Sequence, residues 1–315
     1  MRALIALFIL FPILLQAQLL QKAKVLYETG KPAEALKLLE EIADDSKDYA
    51  EAQFYLGRIA FDKNEYDDAA EFFEEATEAN DKNASYFDWL GNSYGLVARD
   101  ANVIRQGFLA PKMKAAWEKA VELDPTLIDA RLSLIQFYLQ APGFMGGSID
   151  KAIETAKQVI KLDPLQGHRS LGNIYDREQK VVEAEKEFLE VVRIDPTSQP
   201  TLVNFYNNHK QYDKAFKLLD QSLVKNPDDM AAAYQFARVC AISGKNLDRG
   251  EQYLKKYLIY SPKENEPSHA GAYMRLGMIY EKRGNKTEAK RNYQKALQLD
   301  KKMKEAEEGL ERVSK

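Results

Sequence analysis

One cysteine, Cys240, stands in 315 residues. A lone thiol closes no internal disulfide, and no recognisable histidine motif accompanies it, so it reads as a small buried hydrophobe. A basic excess is also missing: 45 Lys and Arg face 48 Asp and Glu, for a formal charge of −3. That balance provides no basic stripe and argues against a nucleic-acid binder. The three histidines, His168, His209 and His269, have no metal-ligand spacing such as H-E-x-x-H. There is no G-x-S-x-G elbow. Acidic pairs such as Asp67-Asp68 and Glu74-Glu75 read as solvated charge. The expectation is therefore no enzyme, no cofactor and no metal. Prolines are few, 11 in all, and several recur in one context, "LDP" or "IDP".

Long apolar runs are lacking too, except one. Met1-Arg2 is followed by "ALIALFILFPILL", residues 3–15, and then "QAQ". This run is too short for a comfortable membrane span, and Pro12 argues against a straight anchor helix. One positive charge, a short apolar core and the small Ala17 predict a signal peptide over residues 1–17, cleaved after Ala17. An uncleaved anchor is the alternative. The expected location is the bacterial cell envelope, periplasmic or secreted, with no membrane span once the signal is cleaved.

What is present is a repeat. Ala35, Ala69, Met113, Ala152, Ala184, Ala215, Gly250 and Ala289 each open a helix, at spacings scattered around 34 residues. Ahead of these helices stand "YLGRIA" (55–60), "WLGNSY" (89–94), "SLGNIY" (170–175) and "RLGMIY" (275–280). Leu and the aromatic, four apart, share one helix face, and the Gly lets a partner helix approach. In the second helices a large side chain follows the opening residue by four, as in Ala69/Phe73 and Ala289/Tyr293. Pro125, Pro164, Pro196, Pro227 and Pro262 mark the stops. Gly30, Gly244 and Gly284 fall in turns that need positive φ.

A period near 34 with paired amphipathic helices resembles the tetratricopeptide-repeat family, over residues 18–301. The first and sixth units depart most, in "QLLQKAKVLYETG" and "LVNFYNNHK". The resemblance implies an all-α, right-handed α-solenoid of about eight helix-turn-helix units, with residues 302–315 as a polar capping helix. It also implies a concave groove lined by the first helices that binds a peptide or partner protein. In repeat register the groove carries Arg58, Asn92, Gln136, Asn173, Asn207 and Arg238, with Phe54, Trp89, Leu132 and Tyr234 as apolar neighbours. A solvated inner face is the alternative. Chaperone-binding members of the family clamp a C-terminal carboxylate. Arg169, Asn173 and Asn204 match the first two parts of that clamp; Ala231 and Gln235 fall where its third part should be, and Arg238 offers one charge. A full clamp is therefore not expected.

Two units are longer. In "GLVARDANVIRQGFLAPKMKAAW", residues 95–117, the added length is expected in both helices, with a break near Gly107 and Pro111. The second carries "QAPGFMGGSID", residues 140–150. Its glycines have the wrong spacing for a phosphate loop, and Ser148 reads as an ordinary N-cap. Both lie on one edge, so Phe108, Leu109, Phe144 and Met145 are expected to meet as an apolar patch, with Arg99, Arg105, Lys112 and Lys114 nearby. Residues 86–156 also resemble a group of exported bacterial tetratricopeptide proteins of uncharacterised function that share an "APG-x-x-GG-x-x-DKA" loop. The reading is an exported adaptor or assembly scaffold. The competing reading is an accessory protein of a cell-envelope transporter or enzyme that binds a small hydrophobic ligand.

Overall fold

The computed structural model describes residues 16–315; the apolar run and most of the expected signal peptide lie outside them. Among the described residues all regular structure is helical. Among the described residues seventeen α-helices follow one another as eight consecutive pairs and a final helix. They are α1 (16–28) with α2 (Pro32–Leu39), α3 (Tyr49–Asp62) with α4 (Tyr66–Ala79), and α5 (Ala84–Asp100) with α6 (Val103–Leu123). Next come α7 (Ile128–Gln140) with α8 (Ile149–Leu162), α9 (Pro164–Arg177) with α10 (Val181–Ile194), and α11 (Gln199–Asn208) with α12 (Tyr212–Lys225). The series closes with α13 (Met230–Ser243) and α14 (Leu247–Tyr257), α15 (His269–Lys282) and α16 (Lys286–Leu299), then α17 (Lys304–Ser314). The chain divides into two compact units, one ending at Glu187 and one running from Phe188 to Lys315.

The Leu-Gly motif works as a socket for an aromatic ring. A Cβ on Gly57 would lie 2.7 Å from Phe73, one on Gly91 2.6 Å from Trp117, and one on Gly277 2.6 Å from Tyr293. Each ring comes from the second helix of the same pair and is buried. Burying such a ring supplies about 2–3 kcal/mol and sets how closely the helices approach. Tyr293 also contacts Gly309 of α17, so the last helix covers the end of this stack.

Turns and caps follow from local chemistry. Gly30, Gly244 and Gly284 take φ of 76°, 75° and 73°. Asn64, Gln179 and Lys210 occupy the equivalent turn in other pairs with φ of 65°, 58° and 56°, a left-handed conformation that costs side-chain-bearing residues energy. Asn83, Asn102, Ser148, Asp163, Asp229, Ser268 and Asn285 cap helix N-termini with their side chains. Ser148 accepts from the Lys151 amide at 3.3 Å, as the sequence indicates.

The third pair differs from expectation. No break occurs at Gly107 or Pro111; α6 runs through both for 21 residues. The pair turns instead at Ala101–Asn102, where the Asn102 side chain caps α6 by accepting from the Arg105 amide. The added residues all go into helix, 17 residues in α5 and 21 in α6 against 14 in each helix of the eighth pair. None of the described helices is long and apolar enough to cross a membrane.

Candidate interaction surface

The first helices hold the expected groove residues, but their environments differ. Gln136, Arg169, Asn173 and Asn204 are exposed. Arg58 and Trp89 are half-buried and engage each other, the guanidinium lying 4.0 Å from the indole centroid with Tyr27 and Phe54 beyond. This cation–π stack fastens α1, α3 and α5 together. Asn92 is also committed: its Oδ1 accepts from Trp117 Nε1 at 3.0 Å, and its Nδ2 donates to Asp88 Oδ2 at 3.3 Å. Asn207 is a correction to the register. It is only 9 % exposed, with both side-chain polar atoms sealed and unpartnered. The surface position on α11 belongs to Asn204, whose Oδ1 accepts from Arg238 Nη2. Leu132 is half-buried and Tyr234 buried.

Sequence reasoning missed Asp88. It is 7 % exposed, and burial, with the charge of Asp129 added, pushes its carboxyl up to about 6. Its Oδ1 has no partner. Only the packing of α5 against its neighbours reveals this; a lone Asp in a helix otherwise reads as solvated.

The edge residues do not form a single patch. Leu109 is buried against Ala60, Ala69 and Tyr94, because α6 turns it toward the second pair. Phe108 is 73 % and Phe144 86 % exposed. Met145 packs on the core around Trp117 and Phe137, and its Cε lies 3.6 Å from where a Gly107 Cβ would stand. The two lengthened segments therefore meet through Met145 alone of the four. The neighbouring cations are paired: Arg99 with Asp100, Arg105 with Asp67, Lys112 with Glu74 and Lys114 with Glu118. Behind Met145 lies an open cleft of about 630 Å³. Ala98, Met113, Trp117, Leu132, Phe137 and Met145 give it an apolar lining, with Gln136 and Gln140 among its polar groups.

The histidines have local roles. His168 Nδ1 lies 2.6 Å from Glu187 Oε2, His269 Nε2 2.8 Å from the Tyr260 carbonyl, and His209 packs on Phe205. No group of His, Cys, Asp and Glu among the described residues is arranged to hold a metal. Cys240 is fully buried on α13, and burial pushes its thiol up to about 12.

The tetratricopeptide-repeat family profile matches residues 20–84 and 146–198, and a second profile of the same repeat matches residues 270–303. The chain carries tetratricopeptide repeats. The C-terminal part of a TPR repeat-containing protein from Cytophaga hutchinsonii is similar in structure, with a TM-score of 0.53 and 17% identity over 92% of this chain and 99% of that one. This likeness concerns the fold alone. A tetratricopeptide repeat protein from Parabacteroides merdae gives a TM-score of 0.49 and 17% identity over 84% and 99%. Among curated proteins, the human antiviral innate immune response effector IFIT1 is 22% identical over 209 residues, 59% of this chain. The match spans less than half of that relative, 44% of its length. Tetratricopeptide proteins generally mediate protein–protein interaction or assembly and are typically non-enzymatic scaffolds.

Proposed function

We propose that this chain is an exported adaptor or assembly scaffold of the bacterial cell envelope that holds a peptide or partner protein against its first helices. The observation that carries this reading is the set of polar side chains Gln136, Arg169 and Asn173 in the first compact unit, which stay at the surface of helices whose other faces are buried. Polar side chains on first helices suit hydrogen bonding to peptide backbone. Export rests on the sequence of residues 1–17. In vivo crosslinking in the native organism should capture a defined partner, and charge reversal at Arg169 and Arg238 should abolish its co-purification. Capture of nonspecific background alone would sink the scaffold reading. Cell fractionation should find the mature protein outside the cytoplasm; retention there would refute export.

A second reading is favoured by the cleft behind Met145. Its volume falls in the range of small-molecule sites, and its lining suits an apolar ligand. Native mass spectrometry of protein purified without detergent should then show a bound small molecule. A mass equal to the bare polypeptide would count against it.

A further inference from the structure

The cleft behind Met145 is built by the length of the third pair. Its α6 wall is the stripe Gln106, Ala110, Met113 and Trp117, whose three- and four-residue steps put all four on one helix face. Gly95, Ala98 and Arg99 supply the α5 wall, and Leu132, Gln136 and Gln140 the α7 wall. When the two pairs are aligned on Leu-Gly and on the residue that opens the second helix, Ala98, Arg99 and Gln106 lie in turns that the eighth pair does not have.

Gly95 shows that the cleft is kept open. One turn before it, packing requires glycine: a Cβ on Gly91 would lie 2.6 Å from Trp117 Nε1. A Cβ on Gly95 would meet nothing nearer than Trp117 Cη2 at 3.6 Å, an ordinary contact. Glycine inside a helix is destabilising relative to alanine, and no close contact requires it here. What the missing side chain leaves is the space of the cleft itself. Gly107 of α6 repeats the pattern, with only Met145 Cε, at 3.6 Å, near its Cβ position.

The lining decides what can occupy that space. Trp117 and Phe137 are buried, so their ring faces are already covered. The surface left by Met113, Met145, Leu132 and Ala98, all half-buried, is aliphatic and thioether. Methionine adapts to a flexible chain and offers no flat face to a planar ring. Among the described residues no Asp, Glu, Lys or His lines the cleft, and Arg99 stands exposed at its outer end, paired with Asp100. The amides are engaged as well. Gln106 Nε2 donates to the Ala98 and Ala101 carbonyls, both at 3.0 Å, and Gln140 Nε2 to Gln136 Oε1 at 3.4 Å. A charged head group drawn inside would lose its hydration without gaining a partner. From Leu132 to Gln140 the α7 wall runs about 12 Å. A lipid with two chains would leave the second in water.

We propose that this cleft binds one linear alkyl chain, that of a single-chain amphiphile, laid along α6 and α7 with its head group in water beyond Arg99 and Gln140. The proposal rests on the small-ligand reading above and names the ligand class for it.

The test is calorimetric titration of the full chain, purified without detergent, with hexanoate, octanoate and decanoate below their micelle concentrations. Binding should saturate at one amphiphile per chain and tighten about fourfold for each methylene added. Decyltrimethylammonium should bind within about fivefold of decanoate, because the head group stays in water. Gly95→Leu should fill the cleft and weaken decanoate binding by about tenfold or more, the loss of roughly two buried methylenes. It should melt no lower than the parent, since leucine is the better helix former. Ala98→Phe, on the same wall, should act likewise and carries the test if Gly95→Leu does not fold. Affinity indifferent to chain length, or unchanged in the folded variants, overturns the site. A lower melting temperature in Gly95→Ala overturns the reading of Gly95 as space left open. Binding of decanoate without decyltrimethylammonium overturns the head-in-water arrangement in favour of an anion held by Arg99. Sedimentation with phosphatidylcholine vesicles, lost in Gly95→Leu, overturns the single-chain source in favour of bilayer lipid. If native mass spectrometry finds a bound small molecule while no alkyl chain binds, the small-ligand reading stands and this assignment falls. If neither is found, both fall.

Discussion

The third and eighth helical pairs use one contact at two lengths. In the eighth, two 14-residue helices close on Tyr293 seated in the Gly277 socket. In the third, Trp117 seats on Gly91 in the same way, but α5 and α6 continue to 17 and 21 residues. The ring-on-glycine contact is thus independent of helix length. What changes is everything beyond it. The eighth pair buries most of its apolar residues, whereas the outer turns of α6 leave Val103, Ile104 and Phe108 exposed. The third pair also encloses one wall of a cleft. Packing fixes the inner half of each pair, and the added turns are left for other uses.

The most direct way to break this comparison is to fill the socket. Gly91→Val and Gly277→Val each place carbon at a position within 3 Å of a buried ring. Each should destabilise the protein by about 3 kcal/mol, the upper range for overpacking, read as a lower urea midpoint. If Gly91→Val is tolerated while Gly277→Val is not, the longer helices have relaxed the contact and the equivalence fails.

Titration sharpens the contrast next. Asp88 on α5 has its carboxyl pushed up to about 6 by burial first and by Asp129 second, from an ordinary 3.8. The folded state therefore holds that proton more tightly than the unfolded chain. Stability falls as pH rises from about 4 to about 6, and the penalty remains above that. Asp88→Asn should raise stability at pH 7 by on the order of 2 kcal/mol and remove that slope. Glu251, bonded to Tyr280 of the eighth pair, behaves oppositely. Burial pushes its carboxyl up, but hydrogen bonds from Lys255, Tyr280 and Arg283 overcome this and hold it at about 2. Its contribution is present above its ordinary 4.5 and is lost as pH falls toward 2. Melting curves across pH 3 to 7 in Asp88→Asn and Glu251→Gln should change slope in opposite senses, and equal slopes would contradict the assignment.

A smaller effect is expected at Pro111. It lies inside α6 on the exposed face, where it removes one backbone hydrogen bond. Pro111→Ala should raise the melting temperature by the equivalent of about 1–3 kcal/mol. No gain would mean that a bend at Gly107 and Pro111 already relieves the strain, and that the length of α6 depends on it.

The repeat, the pairing and the caps are legible in the sequence because each is written locally. Leu-Gly with an aromatic, a Gly in the turn and an Asp-Pro at the stop are signals within a few residues. The interaction surface is less legible, because exposure depends on what the neighbouring helix brings. Asn92 and Asn173 share a register position, yet the first is tied to Trp117 and the second is exposed. Asn207 is buried, because with Leu202-Val203 standing at the Leu-Gly position the residue equivalent to Asn173 is Asn204, which is exposed. The break expected at Pro111 fails because α6 already runs from Val103, capped by Asn102, and the proline is absorbed on the exposed side.

The smallest expected effect separates two adjacent residues. Phe144 is nearly fully exposed, and Met145 packs on the core and lines the cleft. Phe144→Asp should change stability by less than about 0.5 kcal/mol, as surface substitutions do. Met145→Asp should cost more, because a carboxylate would enter an apolar lining. If the cleft holds a small apolar molecule, native mass spectrometry should find it retained in Phe144→Asp and lost in Met145→Asp. Loss in both would place the ligand on the outer edge instead, over Phe108 and Phe144. Retention in both would detach it from the lengthened pair and remove the functional reason for its added turns.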